Sequence, residues 1–315
     1  MNRRSFLANL SVFAGGVALA GTSLGRRAEA FLQTGDLSAF RAAGYGELFP
    51  TAAKNTGETF LALPKGFEYN VLGKRGTKMT DGRTTPPAHD GQWTFRVGNE
   101  LRIVRNHEVT NGRVPREGSA IGSKNHYDPM AGGGTTTLVI DPKTNTLIRD
   151  FVSLSGTLVN CAGGPTPWGS WITCEETTIG KTEVTNSRGV KTGGYPVPHG
   201  YCFEVPASAN SEVKPVPLKA MGRFVHEAVA VDPKTGIVYL TEDYNPSGFY
   251  RFILKRNRRL AEGGMLQVLA VKDKPKFDTR TGMKMGDVLE TVWVTINDPD
   301  PEAADTQPNA VFQEG

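Results

Sequence analysis

The chain has 315 residues, of which 38% are hydrophobic and 22% are charged, a composition typical of a globular protein. Its formal net charge is only +4, and its one basic run is not interleaved with aromatic residues, so we expect no nucleic-acid partner. The 37 glycines and 20 prolines predict many turns and short elements.

The first thirty residues, 1–30, have the form of an export signal. Arg3 and Arg4 precede an apolar run over 6–20, and a small-x-small cleavage site follows at 28–30. The run is short and interrupted by glycines, so we expect no stable membrane insertion. The paired arginines favour a twin-arginine (Tat) signal over an ordinary Sec signal. They predict the Tat export machinery as a partner and a periplasmic or extracellular location, with the mature domain over 31–315.

Beyond the signal, a short helix is predicted over 36–43, and the rest of the chain alternates β-forming runs with turns rich in glycine and proline. The predicted strands share β-branched and aromatic residues bounded by turn signals. They cover 68–72, 93–97, 100–106, 135–140, 147–154, 170–174, 201–205, 228–231, 237–240, 249–253, 265–271 and 291–294. The residues 163–167 are interpreted as a turn, because two glycines and two prolines fall within five positions.

One turn sequence recurs between strands, at 141–145 and at 232–236, and both copies begin Asp-Pro-Lys-Thr. The spacing is about twice the ~45 residues of a propeller blade. Many short strands without helical periodicity therefore predict an all-β propeller. The segment 309–315 resembles the start of a further element, so we expect the propeller to be incomplete.

The three cysteines, Cys161, Cys174 and Cys202, leave at least one thiol unpaired. A disulfide between Cys161 and Cys202 is one possibility in an exported protein, and Cys174 is then the odd thiol. Because Cys174 precedes two adjacent carboxylates, we interpret it as a metal ligand rather than a core residue.

Carboxylates recur at the ends of predicted strands, which is how side chains from distant segments reach one central metal site. Hard cations take oxygen ligands and softer metals accept thiolates, so the set predicts iron on the thiolate side and calcium on the oxygen side. The predicted metal ligands are Glu108, Cys174, Glu175, Glu176, Glu227, Glu242 and Asp243.

Other residues near these strand ends leave two interpretations open. Asn106 either hydrogen-bonds a phosphoryl oxygen or caps a turn. His107 and His226 each precede a glutamate, and only one member of each pair can point into the site, since strand side chains alternate. Arg105 and Arg223 either contact phosphate or pair with a neighbouring acid.

Four blocks of the sequence resemble the PhoX-type alkaline phosphatases, and the similarity covers most of 60–313. The blocks are Arg105-Asn106-His107-Glu108; 163–171 followed by Thr173-Cys174-Glu175-Glu176; Gly222-Arg223-Phe224-Val225-His226-Glu227-Ala228; and Tyr239-Leu240-Thr241-Glu242-Asp243.

The resemblance implies a six-bladed β-propeller that holds iron and calcium in its channel and hydrolyses phosphate monoesters. It further implies that Cys174, with Glu175 or Glu176, binds iron, and that Glu227 and Glu242 bind iron or calcium. Asn106 and Glu227 are then the predicted catalytic residues, with Asn106 facing the phosphate. The family's pattern continues beyond 311–315 into a strand with further site residues.

Two other functions stay open from the sequence alone. A calcium-dependent propeller hydrolase such as a lactonase would use the same acids, and a non-catalytic propeller would only bind a ligand or partner. Whichever function applies, we expect a monomer.

Overall fold

The computed structural model describes most of the chain. The described residues are 46–110, 118–185, 189 and 191–313. The predicted signal and the predicted helix over 36–43 lie outside them. The chain divides into two compact units, 1–71 and 72–315.

The first unit contains one antiparallel hairpin, formed by β1 (Leu48–Ala52) and β2 (Thr59–Pro64). The predicted strand over 68–72 is wrong. The backbone of Val71 is satisfied by a side chain instead of a neighbouring strand, because its N–H donates to Asn55 Oδ1 at 2.9 Å and its carbonyl accepts from Asn55 Nδ2 at 2.7 Å.

The second unit is built almost entirely of short strands, which confirms the all-β prediction. They are β3 (His89–Val97), β4 (Glu100–His107), β5 (Gly133–Asp141), β6 (Thr146–Thr157), β7 (Asn160–Pro165), β8 (Ser170–Glu175), β9 (Val184–Thr185), β10 (Lys191–Thr192), β11 (Cys202–Pro206), β12 (His226–Val231), β13 (Val238–Glu242), β14 (Phe249–Leu254), β15 (Gly264–Val271) and β16 (Thr291–Thr295). Three 3₁₀ turns and one short helix, α1 (Ala310–Gln313), complete the described residues.

The strands form separate antiparallel sheets, and no sheet closes into a barrel within the described residues. The main sheets have the orders β3-β4-β5-β6, β11-β8-β7 and β12-β13-β14-β15-β16. Separate sheets of three to five strands fit the predicted propeller in an incomplete form; the number of six blades stays a prediction.

The recurring turn sequence forms the same local structure in both copies. In each, the first aspartate carbonyl accepts from the N–H four residues later, at 2.8 Å, and its carboxylate accepts from the lysine N–H. The two turns join β5 to β6 and β12 to β13. The repeat noticed in the sequence is therefore a repeat of hairpins.

The strand β7 was missed, since 163–165 were interpreted as a turn. Its glycines are explained by close packing: a Cβ on Gly163 would collide with the carbonyl of Ile172 on β8. Glycine here permits the approach of two strands rather than a change of direction.

The three-stranded sheet packs between the other two main sheets. One of its faces carries Ile172, which joins the core formed by β12–β16 around Leu240 and Tyr250. The opposite face carries Trp171 and joins a core with Val104 of β4. Because side chains alternate along β8, one strand supplies both interfaces.

The edge strands of the three main sheets converge. β3, β7 and β12 each form an edge of their sheet and come first in it along the chain. β7 contacts both β3 and β12. Residues at these edges are therefore brought together from distant parts of the sequence.

Candidate metal centre

A thiol and two carboxylates meet where the three edge strands converge. The ligand atoms of Cys161, Glu176 and Glu227 all lie within 4.8 Å of one another. Cys161 Sγ is 3.7 Å from Glu227 Oε2. These residues come from β7, from the position directly after β8, and from β12.

The same backbone irregularity occurs in all three hairpins at this point. In each, the pairing register of the edge strand shifts by one residue directly after the first residue pair, a β-bulge that leaves two residues opposite one. The first bulged residues are Asp90, Cys161 and Glu227. Bulges re-aim side chains next to functional sites, and here they re-aim two acids and a thiol.

In each hairpin, an acid directly follows the partner strand as a second candidate ligand. One backbone hydrogen bond fixes its position. Its backbone N–H donates to the carbonyl two residues before the bulge. The bonds are Glu108 N to Ala88 O at 2.8 Å, Glu176 N to Val159 O at 2.9 Å, and Asp243 N to Val225 O at 3.0 Å. Each hairpin thus carries two candidate ligands held by the same local structure.

We call these six residues the acid–thiol cluster: Asp90, Glu108, Cys161, Glu176, Glu227 and Asp243. Their mutual influence shows in their pKa values. Burial raises the pKa of Glu176 to about 7, and the charges of Glu227 and Asp243 add to the rise. Burial likewise raises the pKa of Glu108, helped by a hydrogen bond with Asp90.

No lysine or arginine forms an ion pair with a member of the cluster in the part of the chain that the structure describes. Adjacent carboxylates without a counter-charge repel one another unless they take up a proton or a cation. Among the residues that the structure describes, the cluster therefore has no cationic side chain paired with it, and a metal ion would supply positive charge.

Asn106 supports the strand that carries the thiol. Its Nδ2 donates to the carbonyls of Cys161 and Ala162 at 3.0 and 2.8 Å, and its Oδ1 accepts from Trp171 Nε1 at 2.9 Å. The side chain is fully buried and both of its polar atoms are engaged. Its predicted contact with phosphate stays a prediction, but the observed contacts make it a support for Cys161.

Two glycines allow the backbones around Cys161 to come close. A Cβ on Gly91 would lie 2.7 Å from the carbonyl of Cys161, and a Cβ on Gly164 would collide with the carbonyl of Val229 on β12. Glycine at these positions brings β3 and β12 within reach of β7.

Glu175, although adjacent to Glu176, points the other way into a buried polar network. Its carboxylate accepts hydrogen bonds from His199 Nδ1 at 2.7 Å and from the backbone N–H groups of Leu158, Gly200 and Tyr201 at 2.8 to 3.0 Å. His199 Nε2 lies 3.4 Å from Asp128 Oδ2, and these three side chains are fully buried. Burial alone would lower the pKa of His199, but the charge of Glu175 and hydrogen bonds to both carboxylates raise it to about 9.

Glu242 and Cys174 also lie outside the acid–thiol cluster. Glu242 Oε2 accepts from Gly248 N and from Tyr250 Oη, both at 2.8 Å, while its buried Oε1 has no hydrogen-bond partner among the described residues. Cys174 Sγ is fully buried in the core, 3.7 Å from Cys202 Sγ.

The considered disulfide between Cys161 and Cys202 is not formed, since all three thiols are free. Cys202 instead faces Cys174 across β8 and β11. Of the seven predicted metal ligands, the structure thus brings four into the cluster, namely Glu108, Glu176, Glu227 and Asp243. Glu175, Glu242 and Cys174 lie elsewhere, and their roles as ligands stay predictions.

The two histidines that precede cluster glutamates serve the fold. His107 Nδ1 donates to the carbonyl of Pro87 at 2.9 Å, and burial lowers its pKa to about 3. His226 Nε2 donates to the carbonyl of Gly222 at 3.0 Å, and burial lowers its pKa to about 4. Both rings are therefore neutral near pH 7, and each donates a hydrogen bond to a backbone carbonyl.

The two arginines also pair within the protein. Arg223 donates to the carboxylate of Asp305 and to the carbonyls of His199 and Thr178. Arg105 donates to carbonyls at Leu72 and Gly73 and to Gln92, and burial lowers its pKa.

The family model for "Alkaline phosphatase PhoX" matches this chain over residues 44–148 and 142–314. The chain belongs to the PhoX alkaline phosphatase family. Comparisons with curated proteins and with solved structures found no match. Membership rests on a match that spans both strands of each of the three hairpins that build the cluster.

Two members of the cluster of this PhoX-family protein were missed in the sequence. Asp90 precedes the predicted strand over 93–97 and is not among the predicted ligands, and the sequence pointed to Cys174 rather than Cys161 as the ligand. A signal was present: the bulges read His89-Asp90-Gly91, Asn160-Cys161-Ala162 and His226-Glu227-Ala228. Each is a hydrogen-bonding residue, then a candidate ligand, then a small residue, directly at the start of a strand.

The donor set of this family member fits a metal ion. Five carboxylates and one thiol combine ligands for hard cations with one for a softer metal. No helix in the described part of the chain is long and apolar enough to span a bilayer.

Proposed function

We propose that this protein hydrolyses phosphate monoesters at a metal centre formed by the acid–thiol cluster. The observation that carries the proposal is the meeting of Cys161, Glu176 and Glu227 within 4.8 Å. Family membership supports the reaction class, and the geometry supports the choice of ligands. Among the three functions that the sequence left open, family membership supports the phosphatase rather than the lactonase or the non-catalytic propeller.

In this proposal, cations held by the cluster would supply positive charge that offsets the charge developing on the phosphoryl group in the transition state. The side chains of Glu176 and Glu227, together with the Cys161 thiolate, hold them. Burial raises the pKa of the Cys161 thiol, as does the charge of Glu227, so this thiol is no free nucleophile and its thiolate requires a bound cation.

The remaining cluster members, Asp90, Glu108 and Asp243, are carboxylates on the more exposed side of the site. Burial and the neighbouring carboxylate of Asp90 raise the pKa of Glu108, so Glu108 takes up a proton more readily than a free glutamate while no cation is bound. Cation binding therefore releases protons, and we expect the affinity for metal to rise with pH.

The predicted metals, iron and calcium, remain part of the proposal. A thiolate with carboxylates suits iron, and the carboxylates of the outer hairpins suit calcium. Elemental analysis of the purified protein tests this directly, and calcium without iron together with lactone turnover would favour the lactonase instead.

The two cysteines provide a matched pair of variants for the central test. p-Nitrophenyl phosphate hydrolysis and metal content are measured for Cys161→Ser and Cys174→Ser, before and after chelation with EDTA. We expect Cys161→Ser to lose metal and activity, and Cys174→Ser to keep both because it lies in the core. Hydrolysis that survives chelation, or metal that stays in Cys161→Ser, would refute the proposed centre.

Export through the Tat machinery is a further part of the proposal. Members of the PhoX family are typically exported, and the paired residues Arg3 and Arg4 fit that route. Cell fractionation of the wild type and of a variant with both arginines replaced by lysine tests it. An exported double-lysine variant would point to the Sec route.

A further inference from the structure

We propose that Glu175 is a positioning residue that holds Cys161 and Glu176 at the separation needed to share one metal ion. This inference rests on the proposed metal centre, and it gives Glu175 a role other than the predicted one as a ligand.

The carboxylate of Glu175 joins three segments of the chain. It accepts from Leu158 N, three residues before Cys161, and from Gly200 N and Tyr201 N in the segment that leads into β11. The fourth donor is His199. A fully buried carboxylate with four donors is fixed in one orientation, since the loss of any bond would leave a buried group unsatisfied.

The chain around Glu175 transmits this fixed position to both candidate ligands. Glu175 pairs with Asn160 across β7 and β8, and Cys161 and Glu176 each directly follow a member of that pair. The bond from Glu176 N to Val159 O at 2.9 Å closes the connection. Movement of Leu158 away from Glu175 would therefore separate the thiol from the carboxylate of Glu176.

The buried charge of Glu175 is balanced on the side away from the cluster. His199 lies between Glu175 and Asp128, at 2.7 and 3.4 Å, and the rings of Tyr127 and Tyr195 pack edge-on against it. Without His199, the carboxylates of Glu175 and Asp128 would both be buried with one positive partner fewer. Second-layer groups of this kind orient metal ligands without touching the metal.

The variants that test this role are Glu175→Gln and His199→Gln. Glu175→Gln removes the charge and places an amide among N–H donors. His199→Gln leaves the carboxylate and its three backbone donors, so it is the milder change and serves if Glu175→Gln does not fold. Asp150→Asn is the matched control, because Asp150 is also a buried carboxylate that accepts a backbone N–H, from Thr80, but lies on β6.

The first measurement needs no metal. Iodoacetamide is added to the chelated protein and the alkylation of Cys161 is followed by peptide mass spectrometry. We expect the rate at Cys161 to rise about fivefold or more in the Glu175 and His199 variants, because local opening of its segment becomes easier, and to stay unchanged in the control.

The second measurement uses Co²⁺ alone as the probe. Its near-ultraviolet thiolate band is assigned with Cys161→Ser and titrated in each variant. We expect the apparent Kd for Co²⁺ to rise by about tenfold or more in the Glu175 and His199 variants, as for other outer-layer partners, and not in Asp150→Asn.

The two measurements separate this inference from the proposed function. A wild-type protein without a thiolate band would refute the metal centre, while the alkylation rates would still decide whether Glu175 holds Cys161 in place. Alkylation rates in the Glu175 and His199 variants equal to the control would overturn the inference, whatever Co²⁺ does.

Discussion

Two neighbouring glutamates should respond in opposite directions to the same substitution in the metal-free protein. Glu176→Gln removes a charge from a cluster with which no described lysine or arginine forms an ion pair, so it should stabilise the chelated protein while abolishing metal binding. Glu175→Gln removes a charge that four donors require, so it should destabilise the protein.

The magnitude for Glu176 follows from its pKa. The rise from 4.5 to about 7 corresponds to at most about 3.4 kcal/mol, at about 1.36 kcal/mol for each pKa unit. Glu176 is only partly buried, and screening by solvent reduces this to roughly 1 kcal/mol. For a domain of this size, that is about 2 to 4 °C in Tm.

The sign of the pH dependence is fixed by the direction of the pKa change. A carboxyl whose pKa is raised by folding binds a proton in the folded state that the unfolded state has released. The favourable contribution of protonated Glu176 to the free energy of unfolding is therefore present below pH 4.5 and is lost as the pH rises to about 7. The Tm of Glu176→Gln should therefore exceed that of the wild type by an amount that grows between pH 4.5 and about 7 and stays constant at higher pH.

Differential scanning calorimetry in EDTA, from pH 5 to pH 8, measures the effect. Glu175→Gln is the adjacent control, and breaking its buried pair with His199 should cost about 3 to 5 kcal/mol. A chelated Glu176→Gln protein that is no more stable than the wild type at pH 8 would show that the cluster carries no net repulsion.

Three further predictions concern the framework of the site. Gly164→Ala should lower Tm and weaken metal binding together, because the new Cβ would collide with the Val229 carbonyl. Thermal melts measure the Tm and a Co²⁺ titration measures the Kd; an unchanged Kd would contradict the prediction. The folded protein should lose stability as the pH falls from 6.5 to about 4, because the unfolded state then binds protons that the buried rings of His226 and His107 do not bind. Acid titration followed by fluorescence measures this loss of stability, and a flat profile over that pH range would count against neutral rings. Asn106→Ala should leave three buried partners unsatisfied and cost about 1 to 3 kcal/mol; urea denaturation gives the value, and a neutral effect would mean that water replaces the amide.

The sequence predicted the second strand of each site hairpin far better than the first. Strand ends that carry acids are visible in a sequence, and Glu108, Glu176 and Asp243 were found in this way. The edge strands begin with a bulge, and a bulge is set by pairing between strands rather than by local preference. Asp90 was missed for this reason. Glu227 was identified mainly from its place in the sequence block 222–228.

The sequence pointed to Cys174, whereas the structure places Cys161 beside the acids, and the difference has another physical reason. Cys174 stands within a strong strand pattern next to two glutamates, whereas Cys161 precedes two glycines and a proline that favour a turn. Those glycines are required by the close approach of β7 to β8 and β12. Tertiary packing of this kind leaves no periodic signal, so only the arrangement of sheets could show which thiol faces the acids.

The opposite orientation of Glu175 and Glu176 has a consequence for insertions and deletions. Removing one residue from β8 would exchange the two faces of the strand from that point on. The acid that belongs with His199 would then be turned toward the acid–thiol cluster, and the other acid would be turned toward a closed polar pocket already filled by the chain. We therefore expect a single-codon deletion in this strand to be tolerated less well than the loss of either carboxylate, although it removes neither.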